Sequence, residues 1–342
     1  MNIPDQLADL EAQALQQMGT PPSVAADRMM SFRTLTGPGW TLHQADYRDT
    51  LRAVADAGGC DLVATSPPYA DARTYGAAVN WTDADYASLG DAVFAALKPG
   101  GHALINVDAP VREWRPGFGT ERGFHPWRLM LDWAERVGFR VPDRLAFGRQ
   151  GFPGAFVGRL RNDWEPLLWF QRPGSDGHVD PMAIAWVSPA NRVEAGRATQ
   201  WGRGADRNNA DDKHVTRWKA KVKGGQCTEE GIMRPGNLWW YGNVGGCISD
   251  IEAQNHPARW PFKLAEDLVR CFCPPGGVVV DCFSGAGTTA AAAIAHGRVF
   301  VGGDLLARQE DGRPWIDVAA QVLTERQRQQ PLFAPQAQSV TP

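Results

Sequence analysis

Residues 278–295, VVVDCFSGAGTTAAAAIA, restrict the fold more than any other stretch of the chain. The valines Val278, Val279 and Val280 read as a short buried strand, and Thr288 to Ala295 as a small-residue helix. Between them, Gly285 and Gly287 allow the backbone to turn tightly and to approach a ligand. The following helix start presents unpaired N–H groups to whatever lies there. The spacing is not G-x-G-x-x-G, nor does Lys follow the second glycine, so neither a dinucleotide fingerprint nor a triphosphate loop is present. Asp304 follows the next apolar run, Val299 to Val301, at the place where an acid commonly grips ribose hydroxyls.

The rest of the chain fits the same architecture. Short apolar runs alternate with helical segments, the α/β signature. Strands are expected at Trp40–Ala45, Asp61–Thr65, His102–Val107, Phe139–Phe147 and Glu165–Phe170. Helices are expected at Thr50–Ala57, Tyr86–Leu97, Leu129–Val137, Pro261–Cys271 and Ile316–Glu325. A further short helix over Ile3–Met18 follows from Ile3, Leu7, Leu10, Ala14 and Met18, which recur at three- and four-residue steps. From about Arg172 to Asn237 the periodicity fades and Gly, Asn, Asp, Arg and Lys dominate, which reads as an insertion. The Pro- and Gln-containing end, from Arg326, has no periodicity and reads as a disordered tail.

Composition excludes several classes. Hydrophobic residues make up 43% and charged residues 21% of 342, which is ordinary for a folded soluble chain. No apolar run has the length of a membrane span, and the N-terminus lacks the basic-then-apolar order of a signal peptide. A cytoplasmic protein is expected. The six cysteines read as reduced thiols, and Cys271 and Cys273 have no partner pair at zinc-ligand spacing, so no metal is expected. A net charge of −3 requires that any nucleic-acid footprint be local.

A second motif, Ser66-Pro67-Pro68-Tyr69, stands at the carboxyl end of an apolar strand. Two prolines remove two N–H donors and stiffen the chain, which leaves carbonyls to accept from an NH₂ group. Tyr69 offers a flat face on which a base could stack.

DLVATSPPYADARTYG together with DCFSGAGTTAAAAIAHG resembles the amino-group DNA methyltransferases, and the order of the two motifs resembles their permuted beta class. The resemblance covers about Trp40 to Glu325 and extends to HPARWP at His256–Pro261, LKPGGHALINV and RNDWEPLLWFQR. It implies a doubly wound, mostly parallel, Rossmann-like α/β sheet in circularly permuted order. The chain then divides into an N-terminal helical extension (1–38), a catalytic half (39–171), a target-recognition insertion (172–237), a cofactor half (238–325) and a tail (326–342). S-adenosylmethionine is the implied cofactor, with Asp281, Phe283, Ser284, Gly285, Gly287, Thr288, Asp304, Asp46, Phe262 and Lys263 around it. Cys282 and Asp304 depart from the family's usual Pro and Glu.

The implied catalytic residues are Ser66, Pro67, Pro68 and Tyr69: the Ser66 hydroxyl and Pro67 carbonyl would hold the two protons of an exocyclic amine, and Tyr69 would stack on the flipped base. Ser at position 66 favours cytosine N4 over adenine N6 among family members. Cytosine C5 chemistry is disfavoured, because Cys273-Pro274 reverses the order expected there. Double-stranded DNA is the expected partner, with a restriction endonuclease of the same system as a further candidate and a monomer or homodimer as the assembly. Residues 192–223 carry nine Lys/Arg against four acids, a net +5, with Trp201 and Trp218 among them. Arg203, Arg207, Arg217, Trp218, Lys219, Lys221 and Lys223 are therefore the expected DNA contacts. RNA methylation and a non-catalytic DNA-binding protein on the same core are the alternatives.

Overall fold

The computed structural model describes residues 33–68, 81–109, 111–113, 120–149, 163–184, 186–187, 232–233, 235–241, 260–308 and 311–329. In chain order the strands are β1 (Arg33–Gly37), β2 (Trp40–Gln44), β3 (Cys60–Thr65), β4 (Leu97–Asn106), β5 (Val111–Glu113), β6 (Thr120–Arg122), β7 (Arg144–Arg149), β8 (Trp164–Gln171), β9 (Trp186–Val187), β10 (Ile232–Met233), β11 (Leu238–Tyr241), β12 (Val278–Asp281) and β13 (Val299–Gly303). The helices are α1 (Tyr47–Asp56), α2 (Asp83–Ala96), α3 (His125–Asp132), α4 (Phe262–Phe272), α5 (Thr288–Ala295) and α6 (Trp315–Gln329).

Nine of the described strands form one sheet in the order β1-β2-β13-β12-β3-β4-β8-β7-β11. Only β1 and β8 oppose the common strand direction. Strands β12 and β13, which come last in the chain, therefore sit between β2 and β3, which come early. The doubly wound, permuted sheet expected from the motif order is present.

Alternation along the strands divides the core in two. Leu62, Ala64, Leu104 and Val279 face α4, α5 and α6, where Leu264, Leu268, Ala290, Ala293 and Ile316 cover them. Cys60, Val63, Ala103, Ile105 and Val280 face Leu51, Val54, Leu89 and Val93 of α1 and α2. Strands buried on both faces explain the near-continuous apolar runs. The alanines of α5 leave room for the helix to lie close to the sheet: Ala290 to Ala293 are all buried.

Several boundaries differ from expectation for local reasons. The last residues of the expected N-terminal extension belong to the sheet: Thr34, Leu35 and Thr36 lie in β1, which forms a hairpin with β2 around Pro38-Gly39. Gly39, at φ 77°, supplies the left-handed turn residue. Helix α1 begins at Tyr47, because the Asp46 side chain accepts from Arg48 N at 2.9 Å and caps it. Thr82 and Asp85 form a capping box that starts α2 three residues ahead of Tyr86. Strand β4 reaches back to Leu97 through a register shift opposite Cys60 and Leu62. The strand expected from Phe139 starts at Arg144, after Gly138 in a left-handed conformation and after Pro142, which lacks a ladder donor.

At the other end, α6 runs to Gln329, into the expected tail. Gln327 explains this by donating to the Pro38 carbonyl at 2.7 Å. The segment after Arg172 first packs on the core, with Asp180 N bonded to the Cys271 carbonyl at 2.8 Å, and β9 then pairs antiparallel with β10. The expected Ile3–Met18 helix, Tyr69, His256 and the basic stretch from Arg192 to Lys223 lie outside the described residues.

Candidate functional site at the carboxyl edge of β3 and β12

The strand order reverses between β12 and β3, and such a switch point opens a crevice at the carboxyl ends of the strands. Both motifs end there. Val280 pairs with Val63, so Asp281 and Thr65 emerge side by side. The Thr65 hydroxyl donates to Asp281 Oδ1 at 2.6 Å, joining the residue that precedes Ser66 to the first residue of the glycine-rich turn. Thr65 is a site residue that the motifs do not mark, since its partner lies 216 residues along the chain.

The turn is held by carboxylates. Asp281 also accepts from Thr289 Oγ1 at 2.7 Å and from Phe283 N at 3.2 Å, so it ties the strand end to the first turn of α5. Burial pushes its carboxyl above the ordinary range, against the pull of these donors. Asp304, at the end of β13, accepts from Gly285 N and Leu306 N, each at 2.8 Å. Burial raises Asp304 to about 6, and the nearby Asp281 charge adds to the shift. Gly287 caps α5 at φ 84°, and a Cβ there would approach Ala319 to 3.0 Å, so conformation and space both call for glycine. Thr288 follows as the first, buried residue of α5.

Ser284 carries a second kind of signal. Its backbone N donates to Gly303 O and its carbonyl accepts from Gly287 N, yet its buried hydroxyl has no hydrogen-bond partner among the described residues. A buried hydroxyl of this kind ordinarily has a partner, so the turn suits a polar ligand. With carboxylates holding the turn and no lysine in it, the motif lacks the positive charge that a phosphate loop supplies.

Asp46 lies at the end of β2, one strand beyond β13; Gly303 pairs with His43, and Asp304 N donates to the His43 carbonyl at 3.1 Å. The same edge therefore presents Asp46 and Asp304. The Asp46 carboxylate is partly exposed and meets the Arg48 guanidinium at 3.2 Å. Phe262 packs against the cluster of Ala286, Trp315, Val318 and Val322, with the Arg326 guanidinium 4.9 Å from its ring centroid. Lys263 instead turns along its own helix to Glu266 at 2.9 Å and Asp267 at 2.5 Å. Burial pulls its ammonium down, but these two acids outweigh that and hold it above the ordinary lysine value.

On the other side of the crevice, Ser66 is half-buried and Pro67 and Pro68 are buried. The Pro68 carbonyl accepts from the Tyr86 hydroxyl at 2.5 Å. Tyr86 meets Trp81 with ring centroids 5.0 Å apart, and Trp81 meets both Phe283 at 5.2 Å and Tyr47 at 5.4 Å. Aromatic contacts thus connect the turn to the proline motif. Tyr86 was assigned only to a helix from sequence, since nothing in local periodicity marks a hydroxyl that reaches 18 residues back.

Comparison with known proteins agrees with this geometry. The family model N6_N4_Mtase, described as DNA methylase, matches residues 60–310. The orphan methyltransferase M.BamHII of Bacillus amyloliquefaciens is 26% identical over 258 residues, spanning 72% of this chain and 85% of its own. The type II methyltransferase M.BglII of Bacillus subtilis is 25% identical over 293 residues, spanning 83% of this chain and 68% of its own. In fold, the chain resembles the cytosine-N4-specific PvuII DNA methyltransferase with a TM-score of 0.54 at 17% identity, over 84% of this chain and 94% of that one. With the family model spanning most of its length and both motifs meeting in one crevice, this chain belongs to the amino-group (N6/N4) DNA methylases.

Proposed function

We propose that this protein transfers a methyl group to the exocyclic amine of a flipped base in duplex DNA, with cytosine N4 as the acceptor. The observation that carries the reading is the Thr65–Asp281 hydrogen bond, which sets the Ser-Pro-Pro segment against the glycine-rich turn at the sheet's switch point. S-adenosylmethionine is the methyl donor of this family and supplies an electrophilic methyl carbon on a sulfonium centre.

The chain's own residues do the remaining work. An exocyclic amine is a weak nucleophile because its lone pair is delocalised into the ring. In this reading the Ser66 hydroxyl and the Pro67 carbonyl accept its two N–H bonds, which draws the nitrogen towards a tetrahedral lone pair. Preorganised acceptors of this kind stabilise the developing charge without reorganising during the reaction. On the cofactor side, Asp304 and Asp46 take the ribose and adenine ends, while Ser284, Gly285, Gly287 and Thr288 present the turn and helix start. Asp281 holds that turn in place, Phe283 walls it, and Phe262 and the backbone of Lys263 flank the methionine end, the Lys263 ammonium being engaged by Glu266 and Asp267. Tyr69 supplies the stacking face for the base. Arg203, Arg207, Arg217, Trp218, Lys219, Lys221 and Lys223 supply phosphate and base-edge contacts from the inserted region.

Serine at position 66 is what favours cytosine over adenine. Mass spectrometry of nucleosides, after incubation of duplex DNA with the protein and methyl-labelled cofactor, should show labelled N4-methylcytosine. N6-methyladenine would move the acceptor to adenine, and 5-methylcytosine would overturn the amine mechanism altogether.

A further inference from the structure

We infer that Tyr86 is a positioning residue for methyl transfer: its hydroxyl, bonded to the Pro68 carbonyl, sets the direction in which the Pro67 carbonyl faces the substrate amine. The inference rests on the amine mechanism proposed above. Pro67 and Pro68 have no N–H, so carbonyls are the only backbone groups by which this segment can be anchored. Tyr86 donates to Pro68 O at 2.5 Å, in a buried setting where the tyrosine is 2% exposed. Fixing that carbonyl fixes ψ of Pro68. The pyrrolidine ring already fixes φ, and the peptide joining the two prolines is planar, so the plane that carries the Pro67 carbonyl is set as well.

The anchor is itself clamped. The indole N–H of Trp133 donates to the Tyr86 carbonyl at 3.0 Å, and Gly90, one turn further along α2, leaves the space that this indole fills. The Tyr86 ring lies between Trp81, with centroids 5.0 Å apart, and His125, at 4.2 Å. Trp81 in turn meets Phe283 of the glycine-rich turn edge-on at 5.2 Å.

Tyr86→Phe keeps the ring and both ring contacts and removes only the donor. Single-turnover methyl transfer by the full-length protein should fall about tenfold to a hundredfold, because sub-ångström misplacement of a positioned group acts on rate. Affinities for S-adenosylmethionine and for duplex DNA should stay within twofold of the unsubstituted protein. Phe272→Leu serves as the stability control: Phe272 is buried against Trp169, with ring centroids 4.9 Å apart, in the other core cluster from Tyr86 and Trp133. It should lower the melting temperature at least as much as Tyr86→Phe while leaving the single-turnover rate within twofold. Equal slowing by both variants, or an unslowed Tyr86→Phe, would overturn the positioning role. Absence of transfer by the unsubstituted protein would instead overturn the activity on which the role depends.

Discussion

From Asp281 to Gly287 the backbone is held by carboxylates, with Asp281 gathering Thr65, Thr289 and Phe283 N and Asp304 gathering Gly285 N and Leu306 N. From Ser66 to Pro68 the backbone is held instead by a neutral phenol behind it. The difference follows from what each loop faces. The glycine-rich turn faces its own strand end and helix start with N–H groups and hydroxyls, which carboxylates suit because each accepts several hydrogen bonds. A loop that draws a lone pair onto an amine is better served by an uncharged support, which leaves the polarity of Ser66 and Pro67 directed at the substrate. Rigidity is common to both loops, and the sign of the field is not.

By this contrast, the largest effect should come from the substrate-facing side. Ser66→Ala should slow methyl transfer by roughly 10²-fold or more, the usual loss for a positioned polar group acting on the transition state. Calorimetric affinity for S-adenosylmethionine should be unchanged, because the variant leaves the other loop intact. Full activity in this variant would erase the distinction between the loops.

Asp281→Ala tests the other support. It leaves two buried hydroxyls and an N–H without their acceptor, which should cost about 2–4 kcal/mol in urea unfolding. A loss below about 1 kcal/mol would mean that the carboxylate does not hold the turn.

The smallest effect, and the sharpest on charge, concerns Asp304. Burial holds its carboxyl near 6, above the ordinary value of 3.8, so the unliganded fold favours the protonated form. The stability this group contributes is full below the ordinary value and is lost as pH rises through about 6. Cofactor binding runs the other way, since ribose hydroxyls are better accepted by the ionised form. Affinity should therefore rise across pH 5 to 7, and Asp304→Ala should bind about tenfold more weakly at pH 7.5 with a flat profile. A pH-independent affinity in the unsubstituted protein would remove Asp304 from the ribose end.

The legible parts of the molecule were those with a local cause. Val278 to Val280, the glycines of the turn and the alanines of α5 declare a strand, a turn and a close-packed helix within eighteen residues. Asp46 was recognised at a strand end, but its second role as a helix cap moved the start of α1 to Tyr47. Pro142 cut short the strand expected from Phe139, an effect readable from the missing donor alone. The Thr65–Asp281 and Tyr86–Pro68 bonds were not legible, because each depends on where two distant elements come to rest. Lys263 shows the same limit: its position in the motif is local, whereas its ammonium follows Glu266 and Asp267 one turn along α4.

Because β12 and β13 come last yet lie between β2 and β3, the order of synthesis runs against the order of the sheet. When β3 leaves the ribosome, its partner strand and the acceptor for Thr65 are still 216 residues away. At roughly 5–20 residues per second, the wait is on the order of 10–40 s. Throughout it, one edge of β3 and one edge of β2 are open, and open apolar edges recruit other chains. The nascent protein therefore has a gap two strands wide at its centre, which makes its yield in the cell sensitive to translation speed and chaperone supply well before any question of catalysis arises.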